Sequence, residues 1–315
     1  MTFTRRGFIK RAIVAAVAAP NVYPTGDRED LLFLNRDLEV HLFSKHLQFL
    51  DISKAGQVAA ELGFDGLDLT VRPKGHVLPK NAQSRLSSVV EDLEKAGSKC
   101  KMITTAIADV SQPIDKAVIE AAGKAGIEYY RSNWFDFKKE ISLEESLSHY
   151  KEKVYQLGEL NKQNNIIGCY QNHSGIKVGA SVWEVKKILE SVDPKYFGTQ
   201  YDIRHAVVEG GRSWSNGVKL LKDHIKTIVL KDFKWGRVKG KWQIINVPLG
   251  EGMVDFDAYF KLLKALGLKP PVSLHLEYPL GGANKGHYDI TVNPKIVYDA
   301  MKKDLVAVQR LWMQA

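Results

Sequence analysis

The chain alternates between two patterns of hydrophobic and polar positions. Past Asn35, short runs of β-branched and apolar residues are each followed by a turn and a longer segment with apolar residues at helical spacing. The short runs predict strands over Leu38–Phe43, Gly66–Val71, Lys99–Thr105, Glu128–Asn133, Ile166–Gln171, Gly198–Asp202, Thr227–Lys231 and Val272–Tyr278. The longer segments predict helices over Ser53–Leu62, Ala82–Ala96, Lys116–Ala125, Leu143–Asn161, Val182–Ser191, Gly217–Leu221, Phe256–Leu266 and Pro294–Met313.

This alternation predicts the fold class. Strands and helices that follow one another without a Pro- or Ser-rich linker predict a single (β/α)8 barrel of the α/β class over residues 35–315. A doubly wound open sheet has the same alternation and is the alternative. Neither a G-x-G-x-x-G nor a P-loop sequence follows any predicted strand, so no nucleotide cofactor is expected.

The first 22 residues have the pattern of an export signal. Residues 4–10 read TRRGFIK, which resembles the twin-arginine signal of bacteria, and an apolar stretch over 12–19 ends in small residues before Pro20. We therefore expect a signal peptide over residues 1–22 and an exported, periplasmic protein. A chance basic, amphipathic start is the alternative. The stretch is shorter than the roughly 20 residues of a bilayer span, and no Cys follows it, so no stable membrane anchor is expected.

Composition and charge limit the class of protein and the kinds of partner that this chain can have. With 44% hydrophobic and 26% charged residues, the 315-residue chain has enough apolar side chains to form a core, which excludes a disordered protein. Part of the formal charge of +9 belongs to the predicted leader, and the rest is not concentrated in a stripe. No nucleic-acid partner is therefore expected. The two cysteines, Cys100 and Cys169, lie in predicted strands and are expected to be buried free thiols.

Polar residues are concentrated at the predicted strand ends. In a (β/α)8 barrel, the active site lies at the carboxyl ends of the strands and in the loops that follow them. Six of the eight predicted strand ends carry ionisable or strongly hydrogen-bonding side chains: Lys45 and His46; Arg72 and His76; Gln171, Asn172 and His173; Asp202, Arg204 and His205; Lys231 and Asp232; and His275 and Glu277. The sequence therefore predicts a polar site at this end of the barrel.

Four segments, together with Glu277, resemble one known family. These are Gln171–His173, Asp202–His205, Leu230–Asp232 and Pro248–Phe256. In order and spacing they are similar to the xylose-isomerase-like TIM barrels, which include sugar-phosphate isomerases and epimerases, ketose 3-epimerases and inosose dehydratase. The resemblance extends from Leu38 to the C-terminus and implies a small-molecule carbohydrate substrate. Because family barrels often pair through their outer helices, a homodimer is a further expectation.

The resemblance also raises the question of a metal. Family members typically hold a divalent ion with a Glu after strand five, an Asp after strand six, a His on strand seven and a Glu after strand eight. The Asp corresponds to Asp202 and the last Glu to Glu277, whereas Gln171 and Val229 replace the other two ligands. A weaker site for Mn, Mg, Co or Zn, formed by Gln171, Asp202 and Glu277, is one expectation. A site without metal is the other.

The chemistry of such enzymes requires certain groups. Sugar isomerases, epimerases and β-eliminating lyases all remove a proton beside a carbonyl and stabilise the enediolate oxygen. Glu277 is the candidate base, and His173, His205 and Lys231 are candidates for stabilising the oxygen or returning the proton. The candidate substrate-binding residues are Lys45, His46, Arg72, His76 and two tryptophans that could stack on a sugar ring, Trp134 and Trp235.

We therefore expect an exported enzyme resembling sugar isomerases and epimerases, which abstracts the proton alpha to the carbonyl of an unphosphorylated sugar. Because Gln171 replaces one of two acid/base groups, the alternative is a lyase or dehydratase that acts on a keto-sugar or 3-keto-glycoside. A non-catalytic sugar-binding barrel is the further alternative.

Overall fold

A computed structural model of the chain describes residues 37–315, so the predicted signal peptide at 1–22 lies outside the described residues. Parallel strands close into a barrel: β1 (Val40–Phe43), β2 (Gly66–Val71), β3 (Lys99–Thr105), β4 (Tyr129–Arg131), β5 (Ile167–Gln171), β6 (Phe197–Asp202), β7 (Ile225–Leu230) and β10 (Val272–Leu274). Strand β10 completes the closure because it pairs with both β1 and β7. The predicted (β/α)8 barrel is confirmed.

Helices between the strands cover the outside of the barrel. They are α1 (Ile52–Leu62), α2 (Ala82–Lys95), α3 (Pro113–Lys124), α4 (Leu143–Asn164), α5 (Val182–Ile188), α6 (Ile203–Gly210), α7 (Trp214–Leu221), α8 (Phe256–Ala265) and α9 (Pro294–Gln314). Local sequence fixes several of their ends. Ser142 forms a capping box with Glu145 at the start of α4, and Gly63 ends α1 with a left-handed φ of 95°. Within residues 37–315, no helix is both long and apolar enough to cross a membrane.

The strands separate an apolar layer from a polar interior. On β2, Leu67 and Leu69 are fully buried in the core under the helices. Asp68, between them, accepts hydrogen bonds from Thr104 Oγ1 at 3.0 Å and from Ser273 Oγ at 2.6 Å, on β3 and β10. Period-two alternation in a strand thus places apolar side chains outside the barrel and polar ones within it.

A hairpin and a helix were missed by the sequence prediction. After β7 the chain forms an antiparallel hairpin of β8 (Asp232–Val238) and β9 (Lys241–Val247). Its two-residue turn has positive φ at Lys239 and Gly240, a conformation for which Asn-Gly, not Lys-Gly, is the usual signal. Helix α6 was also missed: Asp202 does end strand β6 as predicted, but Ile203–His205, which were read as part of that strand end, form the first turn of the helix.

Asp304 on α9 is expected to make stability depend on pH. Its side chain is 1% exposed and accepts a hydrogen bond from the Tyr278 hydroxyl at 3.0 Å. Burial raises the pKa of this carboxyl from 3.8 to about 7. Between these values the folded chain binds a proton that the unfolded chain has lost, so the free energy of unfolding falls as pH rises.

Asp304→Asn keeps the size of the side chain and removes its titration. We expect urea unfolding at pH 8 to show a variant that is more stable than the native chain, by up to about 4 kcal/mol. Near pH 4 the difference should be small, because both side chains are then neutral. Parallel pH profiles for the two proteins would contradict this prediction.

Candidate active site

A cleft of about 80 Å³ lies at the carboxyl ends of the barrel strands. Its lining consists of Phe43, Lys45, Arg72, Arg131, Trp134, Gln171, His173, Lys231, His275 and Glu277. An outer cavity of about 750 Å³ adjoins it and shares Lys45 and Arg72 with it. The inner cleft is much the smaller of the two cavities. The fold thus brings together candidates from β1, β2, β5, β7 and β10.

Three of the predicted substrate-binding residues do not line the inner cleft. His46 is fully buried, and its ring contacts the Ala283 carbonyl and accepts the Leu276 N–H at 2.9 Å. The His76 ring packs against Ser44 and Thr70 behind the cleft. Trp235 lies on the hairpin and is 42% exposed. His46 therefore anchors the segment that carries Glu277, and His76 supports the loop after β1.

Asp202 lies directly behind the lining, fully buried, at the junction of β6 and α6. Its Oδ1 accepts the His205 N–H at 3.1 Å, which caps the helix and places His205 in the first turn. Its Oδ2 accepts hydrogen bonds from Gln171 Nε2 at 2.8 Å and is 3.0 Å from Lys231 Nζ. The Asn172 side chain pairs with both backbone groups of Asp202. The carboxylate is thus fixed in position and its charge is compensated.

His205 and Lys231 form a buried pair. His205 Nε2 lies 2.9 Å from Lys231 Nζ, and Nδ1 lies 2.7 Å from Ser174 Oγ and 3.0 Å from an Arg204 guanidinium nitrogen. Burial, followed by the charge of Lys231, lowers the pKa of His205 well below its ordinary value, so its ring is neutral at pH 7. A neutral ring can accept a hydrogen bond from the Lys231 ammonium. Lys231 is therefore held by Asp202 and His205 at the edge of the cleft.

His173 lies against this pair. Its ring centroid is 4.1 Å from that of His205 and 4.6 Å from that of Trp134. Its Nδ1 is 2.9 Å from the carbonyl oxygen of Ser174, which favours the tautomer that leaves Nε2 as an acceptor. Burial, with Lys231 second, lowers the pKa of His173. His173 therefore lines the cleft as a neutral ring whose Nε2 can accept a hydrogen bond.

Glu277 is the carboxylate that lines the cleft. It follows β10, its side chain is 26% exposed, and Oε1 lies 2.9 Å from Lys45 Nζ. His275 Nδ1 is 3.7 Å away, beyond hydrogen-bond distance, and its ring stacks on Phe43. Burial raises the pKa of Glu277, but its polar and charged neighbours, Lys231 and Lys45 among them, lower it by more, so the pKa lies well below its usual range. Glu277 is therefore ionised and reachable at neutral pH.

Asp232, next to Lys231, fixes the conformation of the loop that follows β9. Its carboxylate accepts backbone N–H groups from Phe233, Gly250, Gly252 and Val254 at 2.8–3.2 Å. A Cβ at Gly252 would lie 2.2 Å from Asp232 Oδ1, so only glycine fits there. The two motifs Leu230–Asp232 and Pro248–Phe256 thus bind each other and fix Lys231.

The hairpin contributes a second link to the site. Asn246 on β9 accepts a hydrogen bond from Arg204 Nη2 at 2.5 Å. Its own Nδ2 donates to the backbone carbonyl of Glu277 at 3.3 Å. The hairpin therefore joins α6 to the segment that carries the candidate base.

The arrangement of strands and motifs agrees with a comparison of sequence. Residues 57–289 match the family model described as xylose isomerase-like TIM barrel. The chain belongs to this family. No curated protein is significantly similar to it in sequence.

Solved structures with this fold include two sugar epimerases and a probable dehydratase. The 3-keto-D-glucoside 4-epimerase of E. coli is 13% identical, with a TM-score of 0.62 over 85% of this chain and 99% of its own. The D-psicose 3-epimerase of Clostridium cellulolyticum H10 is 13% identical, with a TM-score of 0.66 over 87% and 98%. The probable 3-DHS dehydratase of Bacillus anthracis is 15% identical, with a TM-score of 0.59 over 88% and 98%. At these identities the likeness establishes the fold.

The residues at the family's metal position do not fit a divalent ion. Gln171 uses its amide N–H toward Asp202, and Val229 offers no donor atom. Asp202 and Glu277 are each already paired with an ammonium group, of Lys231 and Lys45. Among the residues described, no three His, Cys, Asp or Glu side chains form a group that could hold a metal. An added dication would have to displace both lysines from their carboxylates.

Three lining residues had no role assigned from the sequence: Phe43, Arg131 and His275, the last of which was named only as a polar residue at a strand end. Arg131 carried a usable signal. It ends β4, and Tyr130 beside it points outward, where its hydroxyl contacts Asn161 on α4. Alternation therefore directs the next side chain, a charged one, into the barrel.

Proposed function

We propose that this protein is a carbohydrate isomerase or epimerase that removes the proton alpha to the carbonyl of an unphosphorylated sugar. One observation carries the proposal: the ionised Glu277 lines the same cleft as Lys231, which His205 and Asp202 hold in place. A base and a fixed cation in one cleft are what enolisation needs. The sugar epimerases that share the fold support this substrate class.

The first step needs only residues of this chain. Glu277 takes the proton from the carbon beside the carbonyl, and the C–H electron pair becomes the double bond of an enediolate. The former carbonyl oxygen gains the negative charge and receives a hydrogen bond from the Lys231 ammonium. An isomerase can then return the proton from Glu277 to the former carbonyl carbon, while the hydroxyl of the first carbon loses its proton to become the new carbonyl and the former carbonyl oxygen takes up a proton from Lys231 or solvent. An epimerase must instead add a proton to the opposite face, for which the Lys231 ammonium is the candidate donor, because neutral His173 presents an acceptor nitrogen.

Elimination is the second candidate reaction, and Gln171 favours it. Its amide cannot exchange a proton and is engaged by Asp202. A dehydratase needs only one base for the α-proton and one acid for the departing β-oxygen. Glu277 and the Lys231–His205 pair supply these roles for a keto-sugar or 3-keto-glycoside. The probable 3-DHS dehydratase has the same fold.

Export to the periplasm is part of the proposal and rests on residues 1–22. Phosphorylated metabolites are scarce outside the cytoplasm, which is the reason for proposing an unphosphorylated substrate. Pairing of two copies through the outer helices remains a prediction.

Proton NMR in D₂O tests the proposed step. The purified chain is incubated with keto-sugars, beginning with D-psicose and a 3-keto-D-glucoside. We expect the signal of the C–H beside the carbonyl to disappear as solvent deuterium replaces it. A new sugar spectrum then indicates isomerisation or epimerisation, and an absorbing unsaturated product indicates elimination. Binding of these sugars by a folded protein without exchange or product would favour the non-catalytic barrel and reject the proposal.

A further inference from the structure

Arg131 is a buried cation without an acidic partner. It is 4% exposed, and among the residues that the structure describes its Nη1 has no hydrogen-bond partner. Its Nη2 reaches only the Thr105 carbonyl oxygen, at 3.4 Å, and its Cζ lies 4.3 Å from the Trp134 ring centroid. A guanidinium has five N–H donors, and leaving them unsatisfied in a buried position is costly. Because Arg131 lines the cleft, a ligand can supply the missing partner.

A second guanidinium lies beside it. Arg72, at the end of β2, lines both the inner cleft and the outer cavity. Its Cζ lies 5.5 Å from the Phe43 ring centroid, and within residues 37–315 it forms no ion pair. Burial and then the charge of Arg72 lower the pKa of Arg131 to about 9, so both groups are charged at pH 7. The fold therefore holds two like charges together in a partly desolvated cleft.

The other charges of the cleft are already matched. Lys45 pairs with Glu277, and Lys231 pairs with Asp202. Asp68, the carboxyl whose charge acts on both arginines, forms no ion pair with either of them and directs its oxygens to Thr104 and Ser273. Among the described residues, the two guanidinium groups are thus the cations of the cleft that lack an ion-pair partner.

The geometry points to a carboxylate-binding subsite formed by Arg131 and Arg72, which makes a sugar acid the substrate class of this cleft. The planar guanidinium matches a carboxylate through paired N–H donors. An anion would also relieve the repulsion between the two arginines. The outer cavity adds Lys74 and Lys285 around the shared Arg72, against one acidic residue, Asp289, so its lining is positively charged and attracts anions toward the cleft. This inference rests on the proposed function in one respect, namely that the ligand is a sugar.

Calorimetric titration of the full chain tests the subsite with matched ligands. D-glucuronate and D-glucose differ only at C6, and D-glucose 6-phosphate carries the other common anion of sugars. We expect D-glucuronate to bind about 10- to 100-fold more tightly than D-glucose. Arg131→Met should bring the two affinities within about threefold of each other. The control, Arg310→Met, removes an exposed arginine of α9 and should preserve the preference.

Specific outcomes overturn the inference. They are equal binding of D-glucuronate and D-glucose by the native chain, or a preference that survives in Arg131→Met. Tighter binding of D-glucose 6-phosphate, lost in Arg131→Met, would assign the subsite to phosphate and reject the carboxylate. If thermal unfolding shows that Arg131→Met is not folded, Arg72→Met at the cavity rim provides the same comparison.

The readout is independent of turnover. An intact, Arg131-dependent preference for D-glucuronate in a chain that never exchanges an α-proton would reject the proposed reaction and leave the subsite standing. α-Proton exchange on neutral keto-sugars, without any preference for D-glucuronate over D-glucose, would support the proposed reaction and reject the subsite.

Discussion

Glu277→Gln is expected to lower kcat for α-proton exchange by about 10³- to 10⁴-fold, near the upper end of what general base catalysis contributes. Glutamine has almost the same shape as glutamate but cannot accept the proton. The native carboxylate lines the cleft, and its pKa is held well below the usual range, so it is in the basic form at every pH near neutrality. We expect KM to change much less than kcat, because the substitution removes a transition-state role.

The control for this variant is Glu251→Gln. Glu251 is exposed and pairs with Lys303 on α9, on the surface of the chain. We expect its rate to equal the native rate. Residual exchange within tenfold of native in a folded Glu277→Gln protein would show that another group is the base.

Lys231→Met is expected to lower kcat/KM by about 10²- to 10³-fold, the usual cost of losing one group that stabilises an oxyanion. The ammonium lies 3.0 Å from Asp202 Oδ2 and 2.9 Å from His205 Nε2, and it borders the cleft. Methionine fills similar space without charge. It also leaves the buried Asp202 without its cation, which we expect to destabilise the fold by about 3–5 kcal/mol.

A double variant separates these two effects. In Lys231→Met with Asp202→Asn, no carboxylate remains unpaired, so stability should return toward native while activity stays low. Recovery of activity together with stability would mean that Lys231 acts only through folding.

Chelation with EDTA is expected to leave the native rate unchanged, because Asp202 and Glu277, the two carboxylates among the three candidate metal ligands, are each paired with a lysine. Loss of activity on chelation, restored by Mn²⁺, would return the site to the family's metal chemistry.

Sequence patterns predicted where the site lies, but only some of the residues that line it. Seven of the predicted site residues line the inner cleft: Lys45, Arg72, Trp134, Gln171, His173, Lys231 and Glu277. His46 and His76 also follow β1 and β2, the strands that carry Lys45 and Arg72. Their rings, however, form hydrogen bonds with loops behind the cleft. Helices and turns that begin directly after a strand rotate the next side chains, which strand alternation does not predict. Ser44–Leu47 forms such a turn, a short 3-10 helix, and it carries His46 away from the cleft.

The sequence by itself determined the barrel and the end at which its polar residues gather. Apolar residues recur every two positions in a strand and every 3.6 positions in a helix, and each element needs this pattern in order to bury one face. The pattern is therefore a local property of the sequence. Only the tertiary structure decided which charges meet. Lys231 and Asp202 come from adjacent strands, Lys45 and Glu277 are 232 positions apart, and Arg72 and Arg131 come from β2 and β4. Pairing and repulsion depend on distances in space, which barrel closure sets and sequence spacing does not.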